Sequence, residues 1–319
     1  MTAVNRDIQT SNTQHEKVII IGSGPAGLSA ALYTARAELN PLVLTGIQVG
    51  GQASLTFTIE NFPGFPDGVG GAELGELFQK QAERFGARIE FDSVESVDFS
   101  QRPFKVSTYS KTYLADSLII ATGASSNELH IPGEKELTGK GVSYCATCDG
   151  WFFKEKKVVV VGGGDSALEE SLFLTRFASS ITIVHRRDAF RAGAILQNRV
   201  KENPKISVLL NTVVTEVLGD QAAKLIKCHN VKTGEDSQLA TDGVFVFIGH
   251  VPNTSLFKDY IKMDENGYIL TDTNLQTNIP GIYAAGEVAD PHYRQVITSA
   301  GMGAAAAIEV THYLENQSS

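Results

Sequence analysis

The chain has 319 residues, 42% apolar and 20% charged, an ordinary globular composition that excludes disorder and is long enough for two domains. A formal net charge of −9 argues against a phosphate-backbone binder, so no nucleic-acid partner is expected. Apolar runs fall far short of the ~20 residues a bilayer-spanning helix needs, no secretory signal is visible, and three cysteines exclude a disulfide scaffold, which fits a reducing, cytoplasmic compartment.

Residues 1–16 show no apolar periodicity and read as a flexible tail. Lys17-Val-Ile-Ile-Ile21 is then a continuous β-branched run, the pattern of a strand covered on both faces. It enters Gly22-Ser-Gly24-Pro-Ala-Gly27, after which Leu28, Ala31, Leu32 and Ala35 recur at helical spacing and Leu42-Val-Leu44 supplies a second strand. A glycine-rich loop (46–51), an aromatic loop (Asn61 to Pro66) and a helix from about Ala72 to Phe85 follow, and a strand-rich stretch ends in Leu118-Ile-Ile-Ala-Thr122-Gly123.

The strand, glycine turn, helix and strand then recur. Lys157-Val-Val-Val-Val161 enters Gly162-Gly-Gly164-Asp165-Ser166-Ala167, and Ile181-Thr-Ile-Val184 closes the second copy. Gly22 to Thr45 and Gly162 to His185 span the same 23 residues, so one supersecondary unit occurs twice. Val208 to Leu218 and Gly243 to Ile248 read as strands, as does Gly281-Ile-Tyr-Ala-Ala285, and an Ala-rich helix from about Ser299 to Leu314 ends the pattern.

Each glycine turn suits a dinucleotide. The first glycine makes the bend, the second lets backbone N–H groups approach a pyrophosphate, and a small third residue lets helix and strand pack. Gly22, Gly24 and Gly27 meet these demands, as do Gly162, Gly164 and Ala167, each set after a strand and at a helix start. Past the second strand of the later copy stand His185, Arg186 and Arg187, with Arg191 close behind. Guanidinium groups at the place where a carboxylate would select NAD fit a ribose 2′-phosphate, and so NADPH. Thr45, at the matching place in the first copy, decides nothing.

Cys145-Ala-Thr-Cys148 is followed directly by Asp149. Such a pair can form a disulfide with a lowered thiolate pKa, and an adjacent carboxyl can exchange a proton with the leaving sulfur. A zinc site would need two more soft ligands, and only Cys228 remains; a merely structural pair of cysteines stays open.

From about Lys17 to Leu314 the chain resembles the bacterial-type, low-molecular-weight thioredoxin reductase family. The resemblance rests on Gly22 to Gly27, Gly50-Gly51-Gln52, Glu60-Asn61-Phe-Pro-Gly64 and Ala121-Thr122-Gly123. It continues through Cys145 to Asp149, Gly162 to Gly164, His185 to Ala192 and Arg294-Gln295. It implies an α/β fold of two Rossmann-like (three-layer ββα) nucleotide-binding domains, the second inserted in the first. Residues 17–125 and 252–319 would bind FAD, and 126–251 would bind NADPH and carry the CxxC. For FAD it implies Gly22, Gly24, Pro25, Ala26, Gly27, Gly51, Gln52, Asn61, Thr122, Gly123, Gly286, Glu287, Arg294 and Gln295. For NADPH it implies Gly162, Gly164, Asp165, Ser166, His185, Arg186, Arg187 and Arg191. Glu287 stands where the family has Asp, and Asp165-Ser166 where many members have Asn-Thr.

The resemblance further implies a homodimer in which electrons pass from NADPH through FAD to the cysteine pair and on to thioredoxin. Cys148 would face the flavin, Cys145 would attack the thioredoxin disulfide, and Asp149 would be the acid/base. Hinges are expected near Gly123–Ser126 and Gly249–Asn253. Two other functions compete: an FAD-dependent dithiol oxidase using oxygen, which would not need Arg186, Arg187 and Arg191, and a non-catalytic redox-sensing flavoprotein.

Overall fold

The β-branched runs become the central strands of two parallel sheets. A computed structural model describes residues 13–46, 49–56 and 58–317. The chain divides into two compact units, one formed by the sequence up to Ser125 together with that from Pro252 onward, the other by Ser126–Val251.

The first passage contains β1 (Thr13–Ile21), α1 (Pro25–Arg36), β2 (Leu42–Leu44), α2 (Gly71–Arg84), β3 (Arg88–Glu90), β4 (Val94–Asp98), β5 (Phe104–Thr108), β6 (Thr112–Ile120) and β7 (Ala124–Ser126). Then come β8 (Val142–Ser143), α3 (Ala146–Asp149), β9 (Lys157–Gly162), α4 (Asp165–Leu174), β10 (Ser180–Val184), α5 (Ala194–Glu202) and β11 (Ile206–Leu209). The chain continues with β12 (Thr212–Leu218), β13 (Leu225–Asn230), β14 (Asp236–Ala240), β15 (Gly243–Phe247) and β16 (His250–Pro252), and closes with β17 (Ile282–Ala284) and α6 (Val296–Gln317).

In the first unit the strands order as β3-β2-β1-β6-β5-β4, with β17 also beside β6. The neighbours of β1, β2 and β17 are parallel, whereas β5 pairs antiparallel with both β4 and β6. Alternate side chains serve opposite faces. Ile19, Ile21, Leu118 and Ile120 pack with Phe104, Tyr113 and Phe257, while Val18, Ile20 and Ile119 meet the small residues of α1 and α6. Both faces are therefore covered, the reason the run is continuously apolar.

Strand β1 begins at Thr13, so residues 13–16 belong to a strand rather than to the expected tail, and residues 1–12 lie outside the described residues. The polar Thr-Gln-His-Glu segment lacks a periodic signal. Pairing of Thr13 to Glu16 with Thr112 to Ala115 supplies its backbone partners instead, and the buried Glu16 carboxylate is met by the Arg88 guanidinium.

The second unit has the all-parallel order β11-β10-β9-β15-β8 and a separate antiparallel sheet β12-β13-β14. Val158 and Val160 of β9 face Ala167, Leu168 and Leu174 of α4. Val159 and Val161 face Val214, Val217, Ile226 and Cys228 of the antiparallel sheet. This gives the three layers helix, parallel sheet and antiparallel sheet. The single strand expected over Val208–Leu218 is two strands in different sheets, split at Leu210-Asn211, where Asn211 adopts φ 53°. Among the described residues no helix is long and apolar enough to cross a membrane.

Candidate active site

At the first glycine turn, β1 ends against Gly22 at φ 108°. A side chain there would press its Cβ to 2.3 Å from the Ala121 carbonyl oxygen, and one at Gly27 would reach 1.9 Å from the Gly22 oxygen. These two glycines are demanded by the bend and by helix–strand packing. Gly24 differs: its backbone is ordinary, and a Cβ there would meet nothing within 4 Å. Pro25 opens α1 without needing a donor, and the first turn carries no acid, so the positive end of the helix dipole lies beside that open space. Ala26 packs beside Gly286, where a Cβ would lie 2.9 Å from its methyl.

Gly51, at φ 59°, lies against Gly24, where a Cβ would come within 3.0 Å of the Gly24 Cα. The Asn61 amide donates to Gln295 Oε1 at 3.1 Å. Thus the expected flavin-side residues Gly22, Gly24, Gly27, Gly51 and Gly286 converge on the start of α1, and Asn61 joins Gln295. Gln52 is exposed just beyond. Burial pushes the Glu287 carboxyl up against the opposing pull of Arg294, with Asp290 adding to the rise. Thr122 and Gly123 are engaged by Asn253: Thr122 Oγ1 donates to the Asn253 carbonyl (2.8 Å), and Asn253 returns its amide to Thr122 O (2.9 Å) and its N–H to Gly123 O (2.9 Å). The sequence marks Asn253 only as a bound of an expected hinge, and its pairing with Thr122 and Gly123 is tertiary.

The second turn repeats this arrangement. A Cβ at Gly162 would come 2.4 Å from Phe247 O, whereas one at Gly164 would again meet nothing within 4 Å. Gly163 leaves room for the buried His185 ring, which a Cβ would approach to 2.2 Å. Burial holds the His185 pKa below its ordinary value, although its ring nitrogen Nε2 also meets the Ala189 carbonyl at 3.1 Å. The loop carrying the arginines is tied back to the turn twice. Arg191 N–H donates to Gly163 O at 2.8 Å, and Gly193 N–H donates to Asp165 Oδ1 at 2.8 Å. Arg186, Arg187 and Arg191 are exposed beyond the carboxyl end of β10, and among the described residues no carboxylate forms an ion pair with them. Ser166 is exposed in the first turn of α4. Open space at the central glycine, a helix N-terminus and unpaired cations form a donor set that fits a phosphorylated dinucleotide.

The cysteines form a disulfide, Cys145–Cys148, with Cα atoms 5.3 Å apart. Cys145 caps α3, its sulfur accepting the Cys148 N–H at 3.2 Å. Burial raises the Asp149 pKa, against a hydrogen bond from Ser143 that lowers it. The chain entering this loop is fixed by Glu134, which is 2% exposed. Its carboxylate accepts from Leu129 N–H (2.8 Å), His130 N–H (2.7 Å) and Tyr144 O–H (3.0 Å). By contrast Cys228 is buried in the core, which pushes its thiol up to about 11 and leaves it mostly protonated at neutral pH.

A redox-competent cysteine pair and two dinucleotide turns in one chain mark an oxidoreductase family, and comparison with known proteins agrees. The profile of the pyridine nucleotide-disulphide oxidoreductases matches residues 16–303. The chain is 56% identical over 303 residues to a thioredoxin reductase of Rickettsia bellii, covering 93% of this chain and 98% of that protein. The chain belongs to the thioredoxin reductase family. It is also 47% identical to a Coxiella burnetii thioredoxin reductase, covering 95% of this chain and 98% of the other. The solved thioredoxin reductase of Streptococcus pyogenes superposes with a TM-score of 0.91 at 42% identity, over 95% of this chain and 99% of that one. This family membership accords with the parallel α/β architecture of both units.

Proposed function

We propose that the chain is an NADPH-dependent flavoprotein disulfide reductase that passes electrons through FAD and the Cys145–Cys148 disulfide to thioredoxin. The observation that carries the reading is that disulfide, in a chain that also holds two glycine turns, each with its central glycine facing open space. Family membership supports thioredoxin as the electron acceptor. Resemblance to the family supports a homodimer, and the low cysteine content supports a cytoplasmic location.

The Gly22–Gly27 turn would hold the FAD pyrophosphate, with Gly51, Gln52, Asn61, Thr122, Gly123, Gly286, Glu287, Arg294 and Gln295 completing that site. The Gly162–Ala167 turn would hold the NADPH pyrophosphate, while Arg186, Arg187 and Arg191 grip the 2′-phosphate. When bound, the two cofactors supply the electron pair that converts the disulfide to a dithiol.

The Cys145 thiolate then attacks one sulfur of the substrate disulfide, whose S–S bond breaks and whose leaving thiolate takes a proton. Cys148 next attacks Cys145, restoring the enzyme disulfide and releasing the second substrate thiol. Overall the cysteine pair loses two electrons and two protons, and the substrate gains both. Asp149, whose pKa burial raises, is the group that would exchange the proton with the reacting sulfurs.

An anaerobic titration tests the reading. NADPH added to the purified yellow protein is expected to bleach the flavin, and oxidised thioredoxin to restore the colour. A colourless protein that does not take up FAD, or bleached protein that thioredoxin leaves bleached, overturns it.

A further inference from the structure

We propose that Ser143 is a positioning residue that joins the backbone of Cys145 to the carboxyl of Asp149 and so tunes thiol–disulfide exchange; this inference rests on the proposed function. Ser143 is buried at the end of β8, two residues before Cys145. Its hydroxyl oxygen accepts the Cys145 N–H at 3.1 Å. Two acceptors compete for its single proton, Asp149 Oδ2 at 2.7 Å and the Cys145 carbonyl at 3.2 Å. The Asp149 N–H closes the ring of contacts onto the same Cys145 carbonyl at 3.2 Å.

One hydroxyl proton cannot serve both acceptors. With Asp149 ionised, the shorter, charge-assisted contact takes it. With Asp149 protonated, the carboxyl can itself donate to Ser143 Oγ, and the hydroxyl proton turns to the Cys145 carbonyl. The protonation state of Asp149 is thereby felt at the backbone of the attacking cysteine. None of these contacts involves a sulfur, so none of them is made by the disulfide bond itself.

The surroundings leave Ser143 as the principal polar control on Asp149. The short 3-10 turn Gly150–Phe153 packed on α3 carries no ionisable side chain, nor does β8, whose Ser143 bonds Asp149. The acids of α4 are Asp165, Glu169 and Glu170, and none of them contributes to the displacement of Asp149. Tyr144 donates its hydroxyl to Glu134. Burial raises Asp149 and the Ser143 hydroxyl lowers it, so removing that hydroxyl raises it further.

The test is the pH dependence of reoxidation of the pre-reduced holoenzyme by oxidised thioredoxin, followed by flavin absorbance. Ser143→Ala is expected to slow reoxidation about tenfold near neutral pH, the loss of one charge-assisted hydrogen bond, and to move the inflection due to Asp149 to higher pH. Ser143→Thr, which keeps a hydroxyl, is expected to keep the wild-type inflection. In an Asp149→Asn background, Ser143→Ala is expected to cause no further slowing, because the pair acts as one unit. Carboxyl 13C NMR of the folded protein reads the same change without turnover, as a higher titration midpoint for Asp149. An unmoved inflection and midpoint in Ser143→Ala, or an equal slowing with Asn at 149, overturns the inference. Failure of the wild-type enzyme to be reoxidised would count instead against the function itself.

Discussion

The central glycines and the arginines separate cofactor contact from folding most sharply. Arg186, Arg187 and Arg191 are exposed on a loop whose backbone is held by Gly163 and Asp165, so their side chains are free to serve a ligand rather than the fold. Arg186→Ala and Arg187→Ala are each expected to weaken NADPH roughly tenfold or more, the loss of a charge-assisted hydrogen bond to phosphate, while leaving NADH nearly unchanged. Equilibrium binding of the two nucleotides to the holoenzyme measures the ratio, and equal losses would remove the arginines from the 2′-phosphate site. These residues were legible because their chemistry is written at a fixed distance from a glycine turn. Ser143 and Glu134 were not, and Asn253 was marked only as a bound of an expected hinge. Nothing local marks a serine whose partner is the carboxylate of Asp149, a buried glutamate that gathers two N–H groups and a phenol, or an asparagine that clasps Thr122 across the chain.

Whole elements show what a single glycine controls. Gly24 and Gly27 lie in one turn, yet their surroundings differ: a Cβ at Gly24 enters open space, and one at Gly27 strikes the Gly22 oxygen at 1.9 Å. Gly24→Ala is therefore expected to fold with near wild-type thermal stability as the apoprotein but to retain little FAD, since the methyl occupies the space through which a pyrophosphate approaches. Gly27→Ala forces β1 and α1 apart and is expected to lower the melting temperature of the apoprotein itself, overpacking typically costing 1–3 kcal/mol or more. Scanning calorimetry with FAD quantification separates the two, and a Gly24→Ala protein that keeps its full flavin complement would refute the assignment. The glycine pattern announced both turns because its conformational demands are local. The limits of β1 and the break between β11 and β12 are tertiary. Residues 13–16 are strand only because β6 offers them partners, and the break turns on Asn211, whose tolerance of positive φ was the one local hint.

For the molecule as a whole, the repeated supersecondary unit was readable from spacing alone, but the layer opposite each helix was not. In the second unit Val159 and Val161 are covered by the antiparallel strands β12–β14, whose short, mixed sequences hardly differ from those of loop-bounded hairpins. The functional question at this scale is whether electrons leave through the cysteines or go to oxygen. Cys145→Ser and Cys148→Ser each remove the disulfide while touching neither glycine turn. Each variant is expected to bind FAD, to be bleached by NADPH at close to the wild-type extent of flavin reduction, and to lose thioredoxin turnover by several orders of magnitude, because a lone thiol cannot complete the two-electron exchange. Oxygen uptake by the wild-type enzyme with NADPH should remain a small fraction of its thioredoxin-dependent turnover. A wild-type enzyme that consumes oxygen with a small dithiol as electron donor faster than it reduces thioredoxin with NADPH would be a dithiol oxidase. One that binds FAD and bleaches yet passes electrons to neither acceptor would be a sensor, and persistent thioredoxin reduction in either serine variant would break the relay through the cysteine pair.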